Sequence, residues 1–372
     1  MSILAALLGL FLVLLVIWEG FETIILPRSV TRQLRLTRGV YLALWPFSAA
    51  IAKRLPENRR QLFLSYFGPL SLPLLLVFWA QMLVLGFALV QWSLPFGLNR
   101  VHGMNRWETA LYQSGVTFFT LGYGDVTPHT RITRFVAVVE AGVGFGFLAV
   151  VIGYLPVLYQ AFSRRESIIS LLDARASSPP SATEMLRRHN EGRSMGNLRI
   201  LLADWEQWSS ELLESHLSYP VLSYYRSQHD GQSWLGALTA IMDTCSLIIV
   251  GCPGDPEWQP ELQWQARMTL AMARHCLVDL AYVFNRKPKS PITDRLPPED
   301  RDKMRRILAG AGLPLCDSPQ DDKKLDDLRT LYEPYAFTLG AFLMFSLPPW
   351  LPSSDTPDNW QTSAWDHDTR HF

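Results

Sequence analysis

Cysteine is scarce in this chain: Cys245, Cys252, Cys276 and Cys316 are the only four in 372 residues. They lack the paired spacing of zinc ligands, and His275 beside Cys276 is the one suggestive neighbour. Net charge is absent too. With 34 basic and 34 acidic side chains the balance is zero, so no overall field draws the chain to nucleic acid or to an acidic substrate. No G-x-G-x-x-G stands between a strand-like run and a helix, which removes the dinucleotide-binding fingerprint. No cyclic-nucleotide-binding pattern and no catalytic constellation of nucleophile and base is present. The expectation is a protein that is not an enzyme and carries no cofactor.

Charge is also missing locally, and that absence is informative. Leu70 to Trp92 holds no charged residue, and Ile3 to Trp18 is an unbroken apolar run whose pattern continues through Glu19 and Glu22 to Leu26. Ile132 to Gln160 has one acid, Glu140, and one base, Arg134. A helix needs about 20 such residues to cross a hydrocarbon core, so each reads as a transmembrane span. Gly39 to Ala52 is shorter and contains Pro46, which predicts an interfacial helix. The first span lacks a basic leader and a small-x-small cleavage site, so it is expected to be retained. Composition changes after residue 160, where most of the acids begin. The predicted fold class is therefore an all-α membrane protein: a transmembrane helix over 1–26, a basic loop over 27–67, a pore-like module over 68–162, a helical domain over 163–347 and a loose tail over 348–372.

Charge asymmetry predicts orientation. Arg28, Arg32, Arg35, Arg38, Lys53, Arg54, Arg59 and Arg60 lie between the first two spans against one acid, Glu57, and Arg164 and Arg165 follow the third. Basic loops stay in the cytoplasm. The N-terminus is expected outside and the domain after residue 163 inside a cell, with its cysteines as reduced thiols.

Between the second and third spans lies "TFFTLGYGDVTP", Thr117 to Pro128. Trp107 to Phe119, just before it, reads as a helix of roughly 20 Å, too short to cross a bilayer but long enough to dip halfway in. Non-helical backbone at that depth survives only inside protein or beside water. Carbonyl oxygens can replace a cation's hydration shell if successive ones face one axis, which requires alternate residues in unusual backbone regions. Gly122 and Gly124 occupy alternate positions and enter such regions at little steric cost. Thr120 can add a hydroxyl.

"TLGYGD", Thr120 to Asp125, resembles the selectivity filter of potassium channels, and the order span, pore helix, filter, span matches as well. The wider sequence resembles bacterial homologues with an additional N-terminal span. The resemblance implies a filter over Thr120, Leu121, Gly122, Tyr123, Gly124 and Asp125, with K+ sites built from the carbonyls of Thr120, Leu121, Gly122 and Tyr123 and the Thr120 hydroxyl, and Asp125 at the outer mouth. Most filters of the family have valine or isoleucine where this chain has Leu121, whose side chain is expected to pack behind the filter. One filter per chain implies a homotetramer. "GFGF", Gly144 to Phe147, has no short helix before it and is not a second filter.

In the third span the resemblance places a hinge at Gly144, 20 residues after Gly124. The alternative is a packing glycine, one of several with Gly142, Gly146 and Gly153. Pro156 is a candidate bend near an inner gate. Glu140 is costly in a membrane unless paired or neutral: it is read either as a protonated carboxyl bonded to the pore helix behind the filter or as a charge tuning the pore. Glu19 and Glu22 are read as anchors near Arg28.

Beyond Ser163 helices are predicted over Asn197–Ser218, Trp234–Val250, Leu262–Asn285, Glu299–Ala311 and Lys323–Leu347, with breaks at "SSPPS", "CPGDP" and "KPKSP". Trp234–Val250, apolar nearly all round except Asp243, is expected at the centre of a bundle rather than as a fourth span. This half names no ligand or partner. The functional expectation is a potassium-selective channel in the cell membrane, with a weakly selective cation channel and a membrane-anchored scaffold or sensor as the competing readings.

Overall fold

The computed structural model describes residues 2–25, 36–99, 103–228, 231–251, 259–290 and 293–352. The residues Arg28 to Arg35 of the basic loop, the "CPGDP" break and the tail beyond Pro352 lie outside this set. No strand is formed among the described residues. The chain divides into two compact units, Met1–Gln160 and Ala161–Phe372, and one helix, Arg131–Ala176, runs through the boundary.

In the first unit, α1 (Ser2–Gly20) ends in a π-turn, Phe21–Ile25. It is followed by α2 (Leu36–Ala52), α3 (Glu57–Ser93), α4 (Arg106–Phe118) and α5 (Arg131–Ala176). Among the described residues three helices are long and apolar enough to cross a membrane: α1 with its π-turn, α3 and α5. α3 begins 13 residues before the predicted span, at Glu57 rather than Leu70, because Pro69 and Pro73 lie within a helix already under way. α5 continues past Gln160 to Ala176. Its 46 residues make about 70 Å, more than twice the thickness of a hydrocarbon core.

α1 packs on α3 at a backbone-to-backbone contact. A Cβ on Gly9 would lie 2.5 Å from the Gly86 carbonyl, and one on Gly86 would lie 2.8 Å from a Val13 methyl. Only the absence of side chains lets the two helices meet there. α2 rests on α3 through Trp45 against Phe67, with ring centroids 4.9 Å apart. Glu19 accepts from the Thr37 amide at 2.9 Å, and Glu22 accepts from the Trp18 indole at 2.7 Å. These buried acids are therefore tied to their own unit.

The second unit surrounds α8 (Trp234–Val250), whose residues are buried from Trp234 to Ile249. Around it lie α6 (Ala182–Glu191), α7 (Met195–Ser218), α9 (Gln259–Val283), α10 (Pro298–Gly310), α11 (Pro319–Thr330) and α12 (Glu333–Leu343). Asp243, at the middle of α8, accepts from Arg295 at 2.6 Å and from the Tyr332 hydroxyl at 2.6 Å. Arg295 also pairs with Glu333 at 2.9 Å. Arg165, on the last turns of α5, is itself buried. It donates to the carbonyls of Leu222 and Tyr225 at 2.9 and 3.0 Å.

Three expectations are corrected here. The single helix predicted over Lys323–Leu347 is two, α11 and α12, because Pro334 cannot supply the amide that would bond Thr330 and its ring obstructs that carbonyl. Its end comes at Leu343, where Met344 turns left-handed with φ +58°. α6 was not foreseen; Ser181 caps it by accepting from the Glu184 amide. The residues after 347 are not loose at their start. Trp350 is 1% exposed, its carbonyl accepts from the Thr183 hydroxyl at 2.6 Å, and the Arg295 and Arg329 guanidinium groups lie 5.7 and 5.6 Å from its ring centre.

Candidate ion filter

α4 starts with a complete capping box: Asn105 accepts from the Glu108 amide, and Glu108 accepts from the Asn105 amide, each at 2.9 Å. The guanidinium of Arg106 donates to the Trp92 carbonyl at 2.6 Å, and Trp107 meets Trp92 edge-on at 5.8 Å. These contacts fix the outer end of the half-length helix to the end of α3. Its other end closes with Phe119 N–H to Gly115 O at 3.1 Å and Leu121 N–H to Val116 O at 2.9 Å.

From there the backbone leaves the helix. Thr120, Gly122 and Gly124 have φ of +57°, +61° and +78°, so every second residue of the stretch is left-handed. Glycine takes this region freely; threonine does so at a cost. Among the described residues, none of the carbonyls of Thr120, Leu121, Gly122 and Tyr123 accepts a hydrogen bond. All residues from Phe119 to Asp125 are exposed in the single chain, Leu121 by 53% and Tyr123 by 68%. Leu121, expected to pack behind the filter, has no pocket within its own chain. The segment ends where Val126 is buried and a short antiparallel bridge joins Leu98 to Pro128.

Asp125 is held twice. Tyr112, on α4, donates its hydroxyl to Oδ2 at 2.8 Å, and the Val126 amide donates to Oδ1 at 3.0 Å. Tyr112 was not singled out from sequence; the only signal was a tyrosine 13 residues before an aspartate, which has no helical or strand periodicity.

Behind α4 lies a buried polar chain. Glu140, on α5, is fully buried. One of its carboxyl oxygens meets the Ser114 hydroxyl of α4, and the other accepts from the Gln91 amide of α3 at 2.6 Å. Ser114 Oγ also lies 2.7 Å from the Val84 carbonyl. One carboxyl thus joins three helices, and among the described residues no cation takes part.

Gly144 sits one turn further along α5. A Cβ there would fall 2.1 Å from the Phe118 carbonyl, so the glycine seats α5 against the last residue of α4. Gly142, Gly146 and Gly153 have nothing within 4 Å of the corresponding point. α5 continues through both Gly144 and Pro156 as one helix.

Residues 63–160 match the family model described as "Ion channel". The chain is 26% identical over 199 residues to the uncharacterized membrane protein YdjJ of Bacillus subtilis, covering 53% of this chain and 57% of that protein. It is 34% identical over 87 residues to protein LctB of Geobacillus stearothermophilus and, likewise, of Bacillus caldotenax, covering 21% of this chain and 64% of each. The chain therefore spans less than two thirds of the length of these relatives. No solved structure matches it. The family match thus takes in most of α3, all of α4, the exposed loop and α5 as far as Gln160, in a chain whose described residues include three helices long and apolar enough to cross a membrane.

Proposed function

We propose that the chain is one subunit of a potassium-selective channel in the cell membrane, completed as a homotetramer around Thr120 to Asp125. The observation that carries this reading is the alternation of left-handed backbone at Thr120, Gly122 and Gly124 next to carbonyls that accept no hydrogen bond among the described residues. Four such segments around one axis supply stacked rings of oxygen that replace the water shell of a dehydrated K+. The exposure of the whole loop supports the need for neighbouring copies. Asp125, held by Tyr112, stands at the outer mouth, and the N-terminus lies outside the cell. Purified protein in liposomes tests this directly: K+ flux should exceed Na+ flux by about tenfold or more, and equal fluxes reject it. Gly122→Ala should abolish selective flux with the assembly intact, because alanine is strained at φ +61°.

The second unit regulates opening in this reading. α5 runs into it without a break, and Arg165 anchors that end on the carbonyls of Leu222 and Tyr225. Movement of this anchor would reach the inner end of the third span. A chain stopped after Asp173 should keep its selectivity and change its open probability; unchanged gating would remove the regulatory role.

A further inference from the structure

α9 is apolar on two sides. One side, with Leu262, Ala266, Ala273, Leu277 and Leu280, is buried in its own unit. The other carries Trp264, Met268, Ala271, His275, Val278 and Tyr282, spaced 4-3-4-3-4 along the helix. Steps of three and four residues keep all six on one stripe, the seam of a two-helix coiled coil. The stripe is open: Trp264 is 62% and Tyr282 78% exposed. Two large aromatics standing in water on one line of one helix mark a contact surface rather than scattered surface residues.

We propose that this face is closed by the same face of a second copy of the chain, the two α9 helices running parallel. The charges beside the seam select this occupant and this direction. On one edge lie Arg267 and Arg274, exposed and in no ion pair among the described residues. On the other edge lies Asp279, 3.7 Å from the His275 ring and in no ion pair with a lysine or arginine among the described residues. In a parallel pair opposite edges meet, and a residue before one seam position faces the residue five further along the second helix. Arg274 then faces Asp279 of the other copy, and the reverse pair forms by symmetry. In an antiparallel pair like edges meet. Arg274 would then lie against its own counterpart near the centre of the seam, placing two cations together. Ala271 and His275, the small and polar positions, fall mid-seam, with Trp264 and Tyr282 covering the two ends.

The inference does not depend on which ion the pore passes. Its test uses the full-length chain in detergent and in liposomes, with the wild-type chain under the same mild oxidant as the baseline for the native cysteines. Ala271→Cys should give disulfide-linked dimers well above that baseline. In mixed subunits, Ala271→Cys should link to itself in preference to His275→Cys. Asp279→Arg should slow the linking about tenfold, the scale of 1.4 kcal/mol, and adding Arg274→Asp should restore it. Linking no greater than wild type overturns the proposal. Preferential linking between positions 271 and 275 overturns the parallel arrangement. Linking that appears in detergent but vanishes in liposomes assigns the stripe to the lipid surface instead. A change to Asp at both Trp264 and Tyr282 should abolish the link at Ala271→Cys while ion flux persists, separating failure of this contact from failure of the pore.

Discussion

Glu140 and Asp243 present the same problem, and the two units of the chain meet it differently. Each is an acid within an apolar stretch of helix, and each is fully buried. Around Glu140 the partners are neutral, Ser114 and Gln91. Around Asp243 they are a guanidinium and a phenol, Arg295 and Tyr332. A helix that crosses lipid has no nearby solvent from which to bring in a counter-ion, and a charge there is costly. A bundle in water can fold an arginine in from a loop. The hydrogen count at Glu140 agrees with this difference. Ser114 has one hydroxyl hydrogen and two oxygens beside it, the Val84 carbonyl and the Glu140 carboxyl. Both contacts are hydrogen bonds only if one neighbour carries a hydrogen itself, and a carbonyl cannot.

The comparison breaks most visibly at position 243. Asp243→Ala or Asp243→Asn leaves Arg295, 8% exposed at its side chain, without its main counter-charge. Removing one member of a buried ion pair costs about 3–5 kcal/mol, and denaturant unfolding of the second unit should show a loss of that size. A change below about 1 kcal/mol would mean that Glu333 alone balances Arg295.

At position 140 the expectation is asymmetric. Glu140→Gln keeps an acceptor for Gln91 and a donor for Ser114, so liposome flux and thermal stability should stay near wild type. Glu140→Ala leaves Gln91 and Ser114 facing a cavity and should cost about 1–3 kcal/mol. If Gln is as damaging as Ala, the carboxyl acts through its charge, and the contrast with Asp243 disappears.

His216 sharpens the contrast on a smaller scale. It is fully buried, with Arg165 Nη1 3.3 Å from its Nε2 and its Nδ1 2.9 Å from the Leu212 carbonyl. Burial, and then the Arg165 charge, hold its pKa well below the ordinary 6.5. The unfolded chain therefore binds this proton first. The stability His216 contributes is complete above pH 6.5 and falls as the pH drops below that value. Urea unfolding between pH 7 and pH 5.5 should show stability declining by at most about 1.4 kcal/mol per pH unit for one proton. His216→Gln should flatten that slope. A slope unaffected by the substitution would place the proton uptake elsewhere.

Local patterns carried much of the chain's organisation, and distant pairings carried almost none of it. The three apolar runs, the half-length helix and α8 with the bounds Trp234 and Val250 are all visible as periodicity and charge gaps, because lipid and buried cores select residue types position by position. The alternate glycines are legible for the same reason: a backbone requirement falls on single residues. The Gln91–Glu140 and Tyr332–Asp243 bonds join residues 49 and 89 apart, and no local spacing marks them. Pro334 was visible but was outweighed by the apolar pattern on either side. Trp350 lies among prolines that read as a tail, and its burial depends on Thr183, Arg295 and Arg329, all distant in sequence.

The contact of Gly9 with Gly86 bears on how much mutation the first helix can absorb. Its lipid-facing residues, among them Leu4, Leu7, Phe11 and Leu14, are exposed in the chain, and for them one apolar side chain serves as well as another. Position 9 has a carbonyl 2.5 Å from where a Cβ would stand. The information that makes α1 this helix rather than any greasy anchor therefore lies in the few residues of its buried side, Gly9 and Val13 among them. Exchange of α1 for an unrelated span would keep the chain in the membrane and lose the fit to α3, unless the replacement brought a glycine at that height.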